Sequence, residues 1–350
     1  MKSGTTQPTD GNASINSELP PPTPESLVNN SSAAPDSTLS PTKKDKKEKR
    51  MKNIHVDDTD TGNRIYAKNT GVWHDQWEAV VGLSHRNIHP PFPCQDSAFS
   101  RSTPHPLLIV ADGAGSSPVS EIGSFAVTTG LARLLNTLDK AVAYILDKES
   151  VIFPIDAFVQ HFVYSIVDHA HGILVDLSSK HRRPIKDFRC TLLLILVGNA
   201  HSLWIKVGDG ALVTEKISLQ KDGSLQSTLE TLGTSGKGEY ANETTFIDEN
   251  LRLDTIQYGL LDTASVCGFA VMSDGAAERL VSTDGKRVGD RLATWLDLLR
   301  HRNLHRRNLT KFFYSEEFCK GHMGDDCSIA LLAGELLVPH GTKSAANQQS

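Results

Sequence analysis

Short apolar runs and long amphipathic stretches follow one another along the chain in an irregular order. A run of strand length ends at a glycine or a polar turn, as in Leu107-Leu-Ile-Val-Ala-Asp112, which Gly113 stops. The long stretches instead carry apolar residues at helical spacing. These patterns predict strands over 78–83, 107–112, 190–197, 202–207, 211–216, 268–272 and 328–332, and helices over 119–138, 157–177, 291–300 and 309–316.

The order of these elements is strands, two helices, a block of strands, two helices and a last strand. It lacks the regular alternation of strand and helix that is typical of a doubly wound parallel sheet. The order therefore predicts an α+β fold in which helices cover packed antiparallel sheets. Residues 219–243, rich in Gly, Ser, Thr and charge, predict a long irregular insert of the kind that often forms a lid.

The first part of the chain differs in composition from the rest. Residues 1–52 are rich in Ser, Thr, Pro and Asn and can bury little apolar surface, so we expect a disordered tail. Seven basic and two acidic residues over 43–52 close it, and such a run is typical of a solvated tether or, alternatively, of a docking site for an acidic partner. We expect a linker over 53–76, a folded domain over 77–338 and a C-terminal tail over 339–350.

Charge and apolar content argue against several classes of protein. The net charge is −5, and the basic run leaves an acidic body, which predicts no nucleic-acid partner. The longest purely apolar run, 192–197, is far shorter than the ~20 residues that span a bilayer, and the N-terminus lacks the apolar core of a signal peptide. The five cysteines form no CxxC pair, which argues against a disulfide framework or a zinc site. We therefore expect a cytoplasmic protein without a membrane partner.

Several aspartates share one setting, the end of an apolar strand beside glycine or a second aspartate. They are Asp112, Asp209, Asp274 and Asp325, and Asp96 follows Gln95 before a short strand-like stretch. Asp-Gly is an ordinary turn pair, but a carboxylate at the mouth of a buried strand is costly unless something pairs with it. The repetition favours bound divalent cations, and oxygen ligands select Mg²⁺ or Mn²⁺ over zinc or copper.

Six short motifs occur in a fixed order around these aspartates. They are Ser84-His85…Gln95-Asp96, Asp112-Gly-Ala-Gly115, Arg189-Cys-Thr191, Gly208-Asp-Gly210, Ser273-Asp-Gly275 and Asp325-Asp326-x-Ser328. With this set the chain resembles the PPM/PP2C family of metal-dependent protein serine/threonine phosphatases, especially its bacterial branch. The resemblance covers about residues 77–335. It implies two central sheets packed face to face, a helical layer on each side, and metal ions at one end of the sandwich.

The resemblance also implies the chemistry and the roles of the metal ligands. Two Mg²⁺ or Mn²⁺ ions, with a weaker third, would activate water to hydrolyse phosphoserine or phosphothreonine in a phosphoprotein substrate, whose phosphate a cognate kinase adds. By position, Asp112 would bridge two ions, with the Gly113 carbonyl on one of them. Asp274 and Asp325 would bind the other ion.

Asp96 and Asp209 complete the implied site. Asp96 would orient the attacking water, and Asp209 would join Asp274 in the weaker third site. Gln95 stands where many members have glutamate, and because an amide is a poorer ligand, one ion would bind more weakly there or through water. His85 or Arg86 would contact phosphate, while an ordinary histidine near the surface is an equal interpretation of His85.

Two other functions stay open from the sequence. Gln95, together with Ala114 where some eukaryotic members carry a histidine general acid, would also suit a low-activity or inactive member that binds phosphoproteins for regulation. A metal phosphodiesterase acting on nucleotides is a third class. The acidic body and the lack of His/Asp clusters argue against that class.

Overall fold

The computed structural model describes residues 65–148, 155–220, 222, 224–234 and 244–337. The expected tails over 1–52 and 339–350 lie outside these residues, as does the first part of the expected linker. In the part of the chain that is described, no helix combines the length and the apolar content needed to cross a membrane.

Eleven strands and eight α-helices form within these residues. The strands are β1 (Ile65–Tyr66), β2 (Lys68–Val80), β3 (Asp96–Arg101), β4 (Leu107–Asp112), β5 (Leu192–Val197), β6 (His201–Val207), β7 (Ala211–Leu219), β8 (Leu225–Leu232), β9 (Gln257–Asp262), β10 (Gly268–Met272) and β11 (Cys327–Leu337). The helices are α1 (Leu83–Arg86), α2 (Ser120–Thr137), α3 (Asp139–Leu146), α4 (Ile155–His181), α5 (Asp274–Ala277), α6 (Asp290–Arg300), α7 (Arg306–Phe313) and α8 (Glu316–Cys319).

The strands build two antiparallel sheets. The first sheet has the order β1-β7-β10-β11-β2, with β8 also paired to β7, and the second has the order β3-β4-β5-β6-β9. Because β2 and β3 belong to different sheets, as do β6 and β7, the chain passes between the sheets at 81–95 and at 208–210. The predicted α+β fold with packed antiparallel sheets is confirmed.

Alternation along each strand explains why the central runs are apolar throughout. In β4, Ile109 packs toward α2 and α4, whereas Leu108 and Val110 point into the layer between the sheets. In β10, Ala270 packs toward α6 and α7 on the opposite side. Both faces of these strands are therefore buried, and helices flank the pair of sheets on each outer side, as the resemblance implied.

Two regions differ from the sequence expectation. The linker expected over 53–76 ends early, because β2 begins at Lys68 and pairs with β11 from Lys68–Leu337 to Val80–Cys327. As an edge strand, β2 is largely exposed at its start, so its sequence shows no apolar run. The prediction of an irregular insert over 219–243 is wrong for residues 225–232, because they form strand β8, which pairs with β7 as a polar hairpin. Residues 235–243 lie outside the described part of the chain.

Other boundaries shift for local reasons. The helix expected over 309–316 begins at Arg306 instead, after a capping box in which His305 and Asn308 satisfy each other's backbone N–H groups. Histidine is an unusual cap, so the pattern gives no start signal here. Helix α3 and strand β9 have no counterpart among the predicted elements.

A buried ion pair ties helix α6 to the first sheet. Arg300 is 7% exposed, and its guanidinium lies 2.5 Å from Glu215, which is 1% exposed. The same guanidinium donates to the carbonyls of Gly334 (2.9 Å) and Cys267 (3.2 Å). Burial raises the pKa of Glu215, and the neighbouring Arg300 charge opposes that rise.

Removing one partner of this pair should destabilise the fold strongly. Arg300→Leu leaves the Glu215 carboxylate buried without its cation, so we expect a loss of about 3–5 kcal/mol in the free energy of unfolding. Urea denaturation measures it. The double variant Arg300→Leu/Glu215→Leu is the control and should lose less than Arg300→Leu alone. An Arg300→Leu protein as stable as the wild type would contradict this assignment.

Candidate functional site

The predicted aspartates lie at one end of the two sheets. Asp112 ends β4 and stands opposite Asp96, the first residue of β3, in the second sheet. Asp274 follows β10, and Asp325 precedes the neighbouring strand β11 in the first sheet. Since antiparallel neighbours place the end of one strand beside the start of the next, each sheet contributes a pair of acidic residues to the same edge.

Hydrogen bonds to Thr191 hold the backbone of Asp112. The Thr191 N–H donates to the Asp112 carbonyl (2.8 Å), and the Asp112 N–H donates to Thr191 Oγ1 (3.0 Å). The next residue, Gly113, donates its N–H to the Gln95 carbonyl (3.1 Å). A Cβ atom on Gly113 would lie 2.7 Å from that carbonyl oxygen and 2.8 Å from Ser120, so only glycine allows this close approach.

Asp96 is buried between groups from both sheets. Burial and the charge of Asp326 raise the pKa of Asp96 to about 8, while the hydroxyls of Ser273 and Ser328 and the side chain of Asp112 oppose that rise. Its Oδ2 atom is buried and has no hydrogen-bond partner among the described residues. This carboxyl is thus held in place with one oxygen left unsatisfied.

The side chains of Asp112 and Asp274 are close enough to influence each other's pKa through hydrogen bonding. Burial, followed by the charges of Asp96 and Asp274, raises the pKa of Asp112 well above its ordinary value. Burial also raises the pKa of Asp274, and the hydrogen bond with Asp112 opposes that shift. Within the described ranges, Asp274 Oδ1 is buried and lacks a hydrogen-bond partner.

Asp325 and Asp209 lie at the periphery of the pair formed by Asp112 and Asp274. Asp325 is exposed, and its Oδ1 accepts the N–H of Asp326 at 2.8 Å. The charge of Asp325 contributes to the raised pKa of both Asp112 and Asp274, and the charge of Asp209 contributes to that of Asp274. All of the predicted acidic residues therefore interact at one place.

A tight turn positions Asp209. Gly208 has a φ of 116°, in the region that favours glycine, and a Cβ atom on Gly210 would lie 2.4 Å from the Met272 carbonyl oxygen. This turn therefore packs directly on the end of β10, which carries Asp274. Thr244 Oγ1 donates a hydrogen bond of 2.7 Å to Asp209 Oδ2.

Asp326, which the sequence motif includes without a role, is buried next to the site. It is 2% exposed, and its Oδ1 and Oδ2 accept the N–H groups of Gly82 (2.7 Å) and Gln95 (2.6 Å). Asp326 thus fastens the 81–95 connection, which carries Gln95 and leads directly into Asp96, to the start of β11. The doubled aspartate was the only signal in the sequence, and it does not tell which carboxylate points inward.

The two phosphate-binding candidates lie close together on α1. His85 Nδ1 lies 3.0 Å from Asp326 Oδ1, so the imidazole ring faces the buried carboxylate of Asp326. Arg86 is exposed, stacks over the Tyr314 ring at 4.3 Å, and forms no ion pair with any described residue. Arg86 and Asp325 line the same small cleft, and Asp325 is the one proposed metal ligand among its lining residues.

Gln95 faces the Asp112 loop from the other side. Its side chain is buried, and its Oε1 lies 3.9 Å from the place of a Cβ atom on Gly115. Its carbonyl also accepts a hydrogen bond of 2.6 Å from Ser124 Oγ. The amide is therefore fixed beside the loop, while its role as a ligand stays a prediction.

The donor set suits a hard divalent cation. Across the described segments, no three His, Cys, Asp or Glu side chains already stand at distances that would hold a metal ion. However, the converging donors are all oxygen atoms, and Asp96 Oδ2 and Asp274 Oδ1 are buried without partners. Divalent cations among these carboxyls would give the unpartnered oxygens a ligand to bind and would offset the repulsion between the charges, so the residues fit Mg²⁺ or Mn²⁺.

Comparison with known proteins decides the family. The family model described as protein phosphatase 2C matches residues 81–314, which is more than half of the chain. The chain belongs to the protein phosphatase 2C family. The predicted membership is confirmed, and the matched range includes Asp96, Asp112 and Asp274, whereas Asp325 lies just beyond it.

The individual relatives described here share at most 30% sequence identity with this phosphatase 2C chain. It is similar to serine/threonine-protein phosphatase 3 of Escherichia coli K12, with 30% identity over 194 residues, covering 52% of this chain and 67% of that protein. Among solved structures it is similar to Stp1 of Staphylococcus aureus, with 15% identity, a TM-score of 0.48, and 75% and 94% of the two chains covered. The catalytic domain of PstP, in complex with two manganese ions, has 15% identity, a TM-score of 0.46, and 75% and 99% coverage.

The acidic site predicts that the stability of the metal-free phosphatase 2C domain falls as the pH rises. In the folded protein Asp96 has a pKa of about 8, whereas in the unfolded chain the same carboxyl loses its proton near pH 4. The folded state therefore binds more protons between about pH 4 and pH 8, and the free energy of unfolding decreases as the pH rises through that range. We expect the melting temperature in EDTA to fall from about pH 5 to about pH 8.

Differential scanning fluorimetry with matched samples measures this dependence. Mn²⁺ should reduce the fall, because the cation replaces the protons that the carboxyls otherwise keep. Asp96→Asn, a neutral isostere, should reduce it without metal. If wild type and Asp96→Asn show the same pH dependence in EDTA, the raised pKa of Asp96 is refuted.

Proposed function

We propose that this protein hydrolyses phosphoserine and phosphothreonine in proteins, with Mg²⁺ or Mn²⁺ bound among Asp112, Asp274 and Asp325. The observation that carries the proposal is the convergence of Asp96, Asp112 and Asp274, whose pKa values are raised by burial and by the charges of neighbouring carboxylates, and which leave two buried oxygens unsatisfied. Membership of the phosphatase 2C family and the printed name of the Escherichia coli relative support the reaction and the substrate class.

Each predicted ligand has a place in this proposal. Asp112 would bridge two ions, with the Gly113 carbonyl as a further donor, and Asp274 and Asp325 would complete their coordination. Asp209, whose charge reaches Asp274, would serve a weaker third ion, and Gln95 would act through its amide or through water. Bound there, divalent cations lower the pKa of water and offset charge on the phosphoryl oxygens.

The side chain of Asp96 would orient the attacking water and accept its proton. Its Oδ2 is buried and unpartnered, and the hydroxyls of Ser273 and Ser328 favour its charged form. A base held in one position next to its target needs no rearrangement when the proton moves. Asp326 and Thr191 position the loops that carry Asp96 and Asp112.

Arg86 would bind the phosphoryl group of the substrate. Arg86 is exposed and lines the cleft that Asp325 also lines, and a guanidinium pairs with two phosphate oxygens at once. His85 faces Asp326 instead, so we propose only a supporting role for it. The substrate is then a phosphoprotein, and the chemistry requires a serine/threonine kinase that adds the phosphate.

The ligand roles predict loss of both activity and metal binding in isosteric variants. Asp112→Asn and Asp274→Asn each remove a negative charge from the proposed ligands without changing the shape of the side chain. We expect hydrolysis of a phosphothreonine peptide in Mn²⁺ to fall by more than about 100-fold, beyond the usual cost of losing an outer-shell partner. EDTA should abolish the activity of the wild type.

Asp176→Asn is the matched control, because Asp176 is exposed on α4 and should leave activity unchanged. Calorimetric titration with Mn²⁺ separates the remaining alternative. A wild type that binds Mn²⁺ tightly but hydrolyses no phosphopeptide would favour the regulatory binding module. Full activity in Asp112→Asn or Asp274→Asn would refute the proposed ligands.

The proposed role of Arg86 predicts an effect on substrate binding. Arg86→Ala should raise KM for the phosphopeptide about 10-fold, since loss of a charge-assisted hydrogen bond costs about 1.5–3 kcal/mol, and Arg86→Lys should recover part of it. Arg307→Ala, which removes an exposed arginine on α7, should leave KM unchanged. Steady-state kinetics with saturating Mn²⁺ measures this, and equal KM values for Arg86→Ala and Arg307→Ala would exclude Arg86.

A further inference from the structure

His322 is a buried side chain between two of the proposed ligand loops. It lies between α8 and β11, and its side chain is only 4% exposed. The imidazole packs against the Phe318 ring, with a centroid distance of 4.8 Å. None of the motifs that identify the family includes this residue, and the proposed ligand set does not use it.

Both ring nitrogens of His322 contact the backbone. Nδ1 lies 3.0 Å from the N–H of Gly324, and Nε2 lies 2.8 Å from the carbonyl oxygen of Gly275. An amide N–H can only donate, so Nδ1 is the acceptor and carries no proton. The proton is therefore on Nε2, which donates to Gly275.

These two backbone groups belong to different ligand loops. Gly275 directly follows Asp274, and Gly324 directly precedes Asp325. The ring of His322 thus links the residue after Asp274 to the residue before Asp325, at the end of β10 and the start of β11.

Further contacts fasten the same junction. Glu278 Oε2 accepts the N–H of Met323 at 3.2 Å and lies 3.4 Å from His322 Nε2. Gly324 has a φ of 93°, and a Cβ atom on Gly275 would lie 2.1 Å from the Asp326 carbonyl oxygen. The backbone at Gly275 therefore packs directly on that of Asp326, and Gly324 adopts a conformation that favours glycine.

We propose that His322 is a positioning residue that holds Asp274 and Asp325 at the spacing needed for one shared cation. This inference rests on the proposed function, because it assigns a purpose to the bridge only if both carboxylates bind metal. A group that orients metal ligands contributes to affinity without touching the ion. His322 therefore acts on metal binding first and on catalysis as a consequence.

Two polar variants separate the bridge from the local turn. In His322→Asn, the side-chain oxygen can still accept the N–H of Gly324, because asparagine commonly accepts a backbone hydrogen bond from the residue two positions later. The asparagine side chain is too short to reach Gly275. Glutamine can place an N–H donor near the position of Nε2 and so keep the link to Gly275. His322→Phe keeps a ring against Phe318 and loses both hydrogen bonds.

The experiment measures Mn²⁺ affinity by calorimetry for the full chain and the three variants, with melting temperatures in EDTA and phosphopeptide kinetics in parallel. We expect His322→Asn and His322→Phe to weaken Mn²⁺ binding by about 10–100-fold, and His322→Gln to recover most of it. Raising the Mn²⁺ concentration should restore kcat in His322→Asn. If His322→Phe fails to fold, the comparison of His322→Asn with His322→Gln decides.

The outcomes distinguish this inference from the proposed function. A wild type that binds Mn²⁺ and hydrolyses the peptide, with a His322→Asn variant of equal Mn²⁺ affinity, overturns the positioning role alone. Lower melting temperatures in EDTA with unchanged affinity would likewise make His322 merely structural. A wild type that neither binds Mn²⁺ nor turns over substrate overturns the proposed function and this inference with it.

Discussion

Like-charged carboxyls held together at the buried end of two sheets are the constraint on which the site depends. Burial and the repulsion of neighbouring carboxylates raise the pKa values of Asp96, Asp112 and Asp274, so without a cation these groups keep protons that isolated aspartates would release. Such an arrangement costs stability unless cations replace those protons. The surrounding fold holds the carboxyls together despite this loss of stability, because the central strands of both sheets are buried on both faces.

Residues outside the proposed ligand set hold these carboxyls close together. Thr191 holds the backbone of Asp112, Asp326 fastens the 81–95 connection to β11, and His322 bridges the loops of Asp274 and Asp325. Each link joins segments that are far apart in the chain, and each uses backbone groups whose geometry a side-chain substitution elsewhere does not alter. The proposed ligands are thereby free to serve the cation, while other residues determine where they stand.

The sequence predicted much of this arrangement, since strand-end aspartates next to glycine are a local signal. Asp112, Asp209 and Asp274 could be found in this way because each follows an apolar run that must be a buried strand. The roles of Asp326 and His322 could not be found, because a carboxylate that accepts two backbone N–H groups looks like any other aspartate. Likewise β2 and β8 are polar strands at the periphery, and only their partners reveal them.

The sequence by itself therefore determined the apolar layers, the α+β class, the family and the set of acidic residues, since all of these depend on local pattern and on motif order. Tertiary structure alone decided which acidic groups touch, which oxygen atoms are left unsatisfied, and that Arg300 is buried against Glu215 rather than solvated. The physical reason is that hydrogen bonds and pKa shifts act over a few ångströms in space. Residues as far apart in the chain as Asp112 and Asp274 meet only when the sheets have packed.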